Sequence, residues 1–271
     1  SGPAAVGIGY KSEATGNRAL ALGSELNGTK NGATADYAIA LGAGARGTAE
    51  SATAIGKQAA ASKSDAVAVG TSSAASADKA VAIGPKANAA GLSSIALGDT
   101  AVASQASAIA IGGQAKGQGS VAVAIGTSSA TAAPVSTSTM TIAGKSYTLA
   151  GGTAAGTVSI GSATQKRTLT NLAAGTVSAT STDAVNGSQL HAVVQAAEST
   201  ATALTSVSTA ASSALVKATS AETKAVAAAA TANATSTALT SVSTAASSAL
   251  VKATSAESKA VAATATANAT S

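Results

Sequence analysis

The chain of 271 residues has 16 lysine and arginine residues against 11 acidic ones, no cysteine, no phenylalanine, no tryptophan and three tyrosines. Its hydrophobic fraction of 46% is largely alanine, so few large side chains are available to fill a globular core. The net charge of +5 is dispersed and has no interleaved aromatic residues, which argues against nucleic acid as a partner. Disulfides and thiolate metal sites are excluded, and no apolar stretch of about 20 residues predicts a transmembrane helix.

A pentapeptide related to Ala-x-Ala-(Ile/Leu/Val)-Gly recurs throughout residues 1–126. Its closing glycines are Gly9, Gly23, Gly42, Gly56, Gly70, Gly84, Gly98, Gly112 and Gly126, which lie 14 residues apart except for one spacing of 19. A short fixed period indicates stacked coils, each too small to bury its own apolar face. We therefore predict a β-solenoid with two short strands and two tight turns per coil. The variable polar residues, such as Lys57, Lys63, Asp78, Lys86 and Gln105, are expected on the exposed second strand.

The repeated strand has two apolar sides. In the copy at residues 80–84, Val81 and Ile83 lie on one side and the two alanines lie on the other. Because a coil of two strands has room for one interior layer, we expect the second side to contact another chain in a closed homo-oligomer. The sequence leaves open which side faces inward. The predicted roll core consists of Val81, Ile83, Ile95, Leu97, Ile109 and Ile111.

Two segments interrupt the period. The 19-residue spacing arises from an insertion within residues 24–37, whose Asn-Gly pairs at 27–28 and 31–32 favour turns with positive φ. We interpret it as a surface loop, with a ligand-contacting protrusion as the alternative. Residues 127–160 are predicted to form a head insertion and connector, with a hairpin over 139–149 and a strand over 157–161.

Residues 190–271 are predicted to be helical, because alanine dominates and neither glycine nor proline occurs there. Residues 202–236 recur almost unchanged at 237–271. A repeat of 35 residues corresponds to five heptads, whereas Val193, Leu204, Leu215 and Val226 are spaced by 11. A helix of this length with an apolar seam indicates a coiled coil, and the two periods leave the hand of its supercoil open.

The segment between the solenoid and the helix carries the most specific motifs. Residues 156–161 (GTVSIG), 165–167 (QKR) and 169–175 (LTNLAAG) are followed by TDAVNGSQL at 182–190. Together with the repeats, these motifs resemble the head, neck and stalk of YadA-like trimeric autotransporter adhesins over roughly the whole chain. The stretch between the two neck motifs, residues 176–181, is longer than the shortest family versions, and the hairpin over 139–149 resembles a head insertion.

This resemblance implies an intertwined homotrimer: a left-handed parallel β-roll head of 14-residue coils, a β-rich neck and an α-helical coiled-coil stalk. The expected boundaries are 1–126 for the head, 127–160 for the insertion, 161–189 for the neck and 190–271 for the stalk. The implied trimer and neck contacts are Arg167, Asp183, Asn186, Gln189 and Leu190. Arg167 and Asp183 are expected to pair between chains, with helix capping as an alternative role for Asp183.

The function implied by the resemblance is attachment of a bacterial surface passenger to host cells or to extracellular matrix such as collagen or fibronectin, without catalysis, cofactor or metal. The family anchors in the outer membrane through a C-terminal barrel that this sequence lacks. A purely structural spacer or self-association module is the alternative. A hexapeptide-repeat acyltransferase is disfavoured because 14 is not a multiple of six and the one histidine, His191, lies in the stalk. An ice-binding solenoid is disfavoured because the threonines fall in different phases of the repeat.

Overall fold

The computed structural model describes residues 1–269. Two compact units are present, residues 1–186 and the residues from 187 onward. In chain order, the strands of the first unit are β1 (Val6–Ile8), β2 (Glu13–Ala14), β3 (Leu20–Leu22), β4 (Gly32–Ala33), β5 (Ile39–Leu41), β6 (Arg46–Gly47), β7 (Thr53–Ile55), β8 (Ala60–Ala61), β9 (Val67–Val69), β10 (Ala74–Ala75), β11 (Val81–Ile83), β12 (Asn88–Ala89), β13 (Ile95–Leu97), β14 (Val102–Ala103), β15 (Ile109–Ile111), β16 (Lys116–Gly117), β17 (Val123–Ile125), β18 (Thr139–Ile142), β19 (Lys145–Thr148) and β20 (Val158–Ser159).

The strands of the repeats form two parallel sheets. The long sheet joins β1, β3, β5, β7, β9, β11, β13, β15, β17 and β20 in that order, and the short sheet joins the even-numbered strands from β2 to β16. Each residue pairs with its counterpart one coil away, as Val81 does with Val67 and Ile95. The prediction of a stacked, parallel β-roll with two strands per coil is confirmed.

The hydrophobic interior of the roll consists of alanine. Every buried hydrophobic residue among residues 1–269 is an alanine, and Ala80 and Ala82 of the copy at 80–84 are 0% exposed. Each coil turns twice within about two residues, so the two sheets lie too close together for large branched side chains between them. The small side chains therefore point inward and the large ones point outward.

This arrangement corrects the predicted roll core. Ile83, Leu97 and Ile111 are 38–40% exposed, and their partners one position before the central alanine are half-buried. Within one chain, none of the six predicted core residues lies in the interior, because a branched side chain would not fit between the sheets. The residues concerned are Val81, Ile83, Ile95, Leu97, Ile109 and Ile111.

Both turns of each coil have a positive φ at their third residue, the pattern of a type II turn. In the turn that begins at Gly56, Gln58 has a φ of 58° and Ala59 N donates to Gly56 O at 3.1 Å. A type II turn directs its central peptide along the stacking axis, so the Ser72 N–H donates to the Lys57 carbonyl of the preceding coil at 2.8 Å. These bonds offset the strain of a left-handed conformation in residues other than glycine.

The variable polar residues occupy these turns. Contrary to the expectation that they lie on the second strand, Lys57, Lys63, Asp78, Lys86 and Gln105 are all in turns or bends between the strands. Strands of the short sheet are two residues long, and the inward one of each pair is alanine or glycine. The turns therefore carry the sequence variation because they are the positions with free space around the side chain.

The insertion between β3 and β4 is a small two-residue hairpin. Leu26 and Thr29 exchange backbone hydrogen bonds at 2.8 and 2.9 Å, and Asn27 and Gly28 both have positive φ, as the first Asn-Gly pair predicts. The second pair does not form a turn. Asn31 is 0% exposed inside the roll, where its Nδ2 donates to Ala40 O and Gly42 O and its Oδ1 accepts from Ser12 Oγ.

Residues 127–160 leave the roll and return to it. Strands β18 and β19 form the predicted antiparallel hairpin, with Met140 opposite Tyr147. Strand β20 then pairs in parallel with β17, so that Val158 lies beside Val123. The long sheet therefore extends beyond residue 126, where the head was expected to end.

The second unit is one helix, α1 (Gly187–Ala269), which includes no buried residue. It begins three residues before the predicted helical segment, 190–271, and includes that segment except for residues 270 and 271, which lie outside the described part of the chain. No helix within residues 1–269 combines the length and the hydropathy that a membrane span requires.

Candidate functional site

The most extensive candidate surface is the outer side of the long sheet, which we call the outer apolar face. It consists of two rows of side chains that continue from coil to coil. The first row is Val6, Leu20, Ile39, Thr53, Val67, Val81, Ile95, Ile109, Val123 and Val158; the second is Ile8, Leu22, Leu41, Ile55, Val69, Ile83, Leu97, Ile111 and Ile125.

Every member of the outer apolar face except Thr53 is Val, Ile or Leu. Several are well exposed in the single chain, including Ile8 at 62% and Ile125 at 44%. Soluble monomers rarely expose a contiguous apolar patch larger than a few hundred Å². A continuous double row along ten strands is therefore typical of a surface that another protein chain covers.

A second surface lies at the first coils, around the insertion. Lys11 Nζ lies 2.8 Å from Glu25, which is on the insertion, and Lys30 forms an ion pair with Glu13. The hydrogen bond and charge of Glu25 raise the pKa of the Lys11 ammonium. These pairs attach both ends of the insertion to the neighbouring coils, so the loop is held against the roll.

The same coils contain two of the three tyrosines. Tyr10 is 69% exposed, and Tyr37 is 46% exposed. Arg18 Nη1 donates to the Tyr37 hydroxyl at 3.1 Å, and its guanidinium lies 5.7 Å from the ring centroid. Exposed tyrosine and arginine are the side chains most enriched in binding surfaces, and the first coils are where the head concentrates them.

Arg167, one of the predicted neck residues, binds the end of the roll. Its Nη1 donates to Ile160 O at 2.6 Å and to Ser129 Oγ at 3.1 Å, and its Nη2 donates to Thr127 O at 2.7 Å. All three acceptors belong to the last coils of its own roll. Pairing of Arg167 with Asp183 of another chain, the expected role, stays a prediction.

Asp183 organises the loop that precedes the helix. Its Oδ2 accepts a hydrogen bond from Thr176 N at 2.9 Å, and its own N–H donates to Ser181 Oγ at 3.1 Å. The bonds from Thr176 lower the pKa of the Asp183 carboxyl. This carboxylate oxygen binds residue 176 within the loop, and the alternative role of Asp183 in capping the helix stays a prediction.

The remaining neck residues lie at the helix start. Asn186 Nδ2 donates to Leu172 O at 3.1 Å, which connects the two neck motifs. Gln189 and Leu190 lie in the first turn of α1, where Leu190 is 61% exposed. Their proposed contacts with other chains are predictions. Within residues 1–269, no group of three or more histidine, aspartate or glutamate side chains is placed to hold a metal ion.

The lowered pKa of Asp183 predicts an acid-sensitive neck. A carboxyl whose pKa is lower in the folded state than in the unfolded state stabilises the folded state at any pH above its unfolded pKa, here 3.8. This contribution is lost as the pH falls through the lower pKa of the folded state. We expect the thermal midpoint of the parent to exceed that of Asp183→Asn at neutral pH, with the difference shrinking below pH 3.8. Circular dichroism melts of both proteins over this range measure it. A difference that does not depend on pH would contradict the prediction.

The strand predicted over 157–161 was not recognised in the sequence as part of the roll. Residues 157–161 (TVSIG) are a tenth copy of the pentapeptide, since Val158 and Ser159 pair with Val123 and Ala124. The signal was present in the closing Ile160-Gly161. It was missed because the tenth glycine follows Gly126 by 35 residues and because polar residues replace both alanines.

Two sequence families match the chain. The YadA head domain repeat matches residues 1–25, 27–45, 48–73, 61–87, 75–101 and 89–115. The coiled stalk of trimeric autotransporter adhesins matches residues 168–213. The autotransporter adhesin BtaE of Brucella suis biovar 1 (strain 1330) is 51% identical over 76 residues. That alignment covers 28% of this chain and 10% of BtaE, so the chain spans about a tenth of that relative.

A known structure agrees with these matches, and a second one is similar in sequence over part of the chain. The crystal structure of the collagen-binding domain of the Yersinia adhesin YadA aligns with a TM-score of 0.52 and 27% identity, over 72% of this chain and 99% of that domain. The C-terminal YadA-like domain of BPSL2063 from Burkholderia pseudomallei is 35% identical over 44% of this chain and 49% of that one, with a TM-score of 0.34. With its 14-residue coils, outer apolar face and matches to both head and stalk, the chain belongs to the YadA-like trimeric autotransporter adhesins.

Proposed function

We propose that the protein is the surface-exposed passenger of a bacterial adhesin and that three parallel copies assemble through the outer apolar face. The observation that carries this proposal is the pair of apolar rows along the long sheet. The all-alanine interior buries little area per coil, so a single roll has a small hydrophobic driving force of its own. Covering the outer rows with two other rolls adds the larger side chains to a common core.

The helix supports the same assembly. None of its residues is buried in the single chain, and Leu204, Leu239 and Leu250 are 69–70% exposed. Helices in proteins gain most of their stability from the packing of an apolar face against other elements. A trimeric coiled coil over the proposed stalk, residues 190–271, would provide this packing. The proposed neck, residues 161–189, would then join this coiled coil to the trimer of rolls in the head.

The proposed activity is attachment to extracellular matrix, such as collagen or a fibronectin-like protein, at the bacterial outer membrane. The named relatives support it, since one is an adhesin and the other a collagen-binding domain. If the long sheet is covered by neighbouring chains, the turns, the short sheet and the insertion face solvent. Three copies of every repeat would then offer many equivalent contacts, which favours weak individual binding and strong multivalent attachment without catalysis.

The first test of the proposal is the oligomeric state. Sedimentation equilibrium is expected to give three times the chain mass of 24.9 kDa. The purified protein is then applied to immobilised collagen, fibronectin and albumin, with binding expected to one of the matrix proteins and not to albumin. A stable monomer would overturn the assembly, and equal signals on all three surfaces would overturn matrix attachment.

A spacer or self-association role is the second candidate, and the near-identical 35-residue duplication at 202–271 favours it, since it adds stalk length without new side-chain chemistry. Cells that display the protein would then aggregate with one another while failing to bind matrix. The two roles are separated by measuring both properties on the same cells.

A further inference from the structure

The C-terminal end of the roll has a feature that the trimer proposal does not use. In a stack of parallel coils, the last coil exposes carbonyl groups that a following coil would otherwise satisfy. An open strand edge of this kind is a template for unwanted pairing, and repeat proteins close it with a specialised terminal element. We infer that the Arg167 side chain is this element: its guanidinium replaces the backbone donors of the coil that the stack lacks.

The turn ladder gives the first part of the argument. In successive coils, Lys86 N donates to Thr71 O, Thr100 N to Pro85 O, Gln114 N to Asp99 O and Ser128 N to Gly113 O, at distances of 2.7–2.9 Å. The next carbonyl of this series is that of Thr127. Its donor is Arg167 Nη2 at 2.7 Å, within the range of the backbone bonds that precede it.

The strand ladder gives the second part. Gly98 N donates to Ile83 O, Gly112 N to Leu97 O and Gly126 N to Ile111 O. The next carbonyl of this series, that of Ile125, accepts from Ser129 Oγ at 2.7 Å. One strand further, the equivalent carbonyl is that of Ile160, where a further coil would supply a glycine N–H. Arg167 Nη1 donates to this carbonyl at 2.6 Å. One planar guanidinium therefore completes the hydrogen bonding of two separate ladders.

Ser129 connects Arg167 to the strand ladder. Its Oγ donates to Ile125 O at 2.7 Å and accepts from Arg167 Nη1 at 3.1 Å. A Cβ added at Gly126 would lie 3.2 Å from Arg167 Cζ, so the guanidinium packs directly against the last regular glycine of the repeat. Arginine suits this position because its donors form a rigid fork, whereas lysine offers a single ammonium.

Hydrogen exchange measured by mass spectrometry on the whole 271-residue chain tests the inference. In Arg167→Met, amides of the terminal coil (residues 112–131 and 157–161) are expected to exchange roughly tenfold faster or more, while residues 56–98 keep the parent rate. Arg167→Lys is expected to recover only part of this protection. Arg46→Met removes the same charge from an exposed position on the short sheet and is the matched control, with no expected change.

Asp183→Asn separates this role from an ion pair between chains. If Arg167 acted through Asp183, the asparagine variant would lose the same protection in the terminal coil; we expect it to keep the parent rates there. The inference is overturned by parent-like exchange in Arg167→Met, by full recovery in Arg167→Lys, by loss in the Arg46 control, or by a loss spread evenly over the whole head.

Discussion

Replacing Ile83 with aspartate is expected to dissociate the trimer and to lower its thermal midpoint more than any exposed substitution in the head. Ile83 lies in the second row of the outer apolar face and is 38% exposed in a single chain. In the proposed trimer, three carboxylates would enter one apolar layer. An unpaired charge in such a layer costs ~3–5 kcal/mol, and the symmetry of the assembly repeats that cost on every chain.

Ser72→Asp is the matched control for this substitution. It introduces the same side chain and the same change in charge at an exposed turn, where Ser72 has a φ of 57° and Asp65 already occupies the equivalent position of the coil's other turn. Its expected effect is under about 0.5 kcal/mol. Sedimentation velocity and thermal melts compare both variants with the parent. An Ile83→Asp protein that remains trimeric and melts with the parent would show that this face is not packed against other chains.

The second large effect is expected at the closing glycines of the repeat. Gly70 has a φ of 131°, a conformation open almost only to glycine, and a Cβ at this position would lie 2.6 Å from the carbonyl carbon and oxygen of Gly84 in the next coil. Neither the turn nor the neighbouring backbone can yield without breaking both ladders. Gly70→Ala is therefore expected to destabilise each chain by on the order of 3 kcal/mol.

Gly113→Ala provides the comparison within the same roll. A Cβ at Gly113 would meet no atom closer than 3.8 Å, and its φ does not lie in the left-handed region. The alanine variant is expected to be neutral or to stabilise the protein by about 0.4–1 kcal/mol, because it restricts the unfolded chain. Chemical denaturation of both variants measures the contrast. Equal midpoints for the two would mean that the stacked glycines do not set the spacing of the coils.

The stacking of the roll could be predicted from its period, but the orientation of its strands could not. Hydrogen bonding between coils requires that each turn occur at the same position in every coil. The 14-residue spacing therefore determines that residues 14 positions apart pair in parallel register. Both sides of a strand such as residues 80–84 are apolar, and hydropathy alone does not distinguish them. Side-chain volume does: the methyl groups of Ala80 and Ala82 fit between the sheets, whereas Val81 and Ile83 do not.

The candidate surfaces differ in how far the sequence anticipated them. The neck motif located Arg167 and Asp183, but the motif does not identify the carbonyl groups that Arg167 binds, because one of them, that of Thr127, lies 40 positions earlier in the chain. The burial of Asn31 was unexpected for a similar reason. An Asn-Gly pair signals a turn locally, whereas the partners of the Asn31 side chain come from the neighbouring coils: the carbonyl groups of Ala40 and Gly42 from the following coil and the Ser12 hydroxyl from the preceding one.

The uniform alanine interior has a consequence for inheritance. Each regular coil presents the same small side chains and the same two ladders to its neighbours, so a gene that gained or lost one 14-codon unit would still encode complementary contacts. Head length is then free to change in whole steps of about 4.8 Å, the separation between adjacent strands. A lineage under selection for reach could vary this distance by recombination between repeats while the first coils, the insertion and the Arg167 closure stay unaltered.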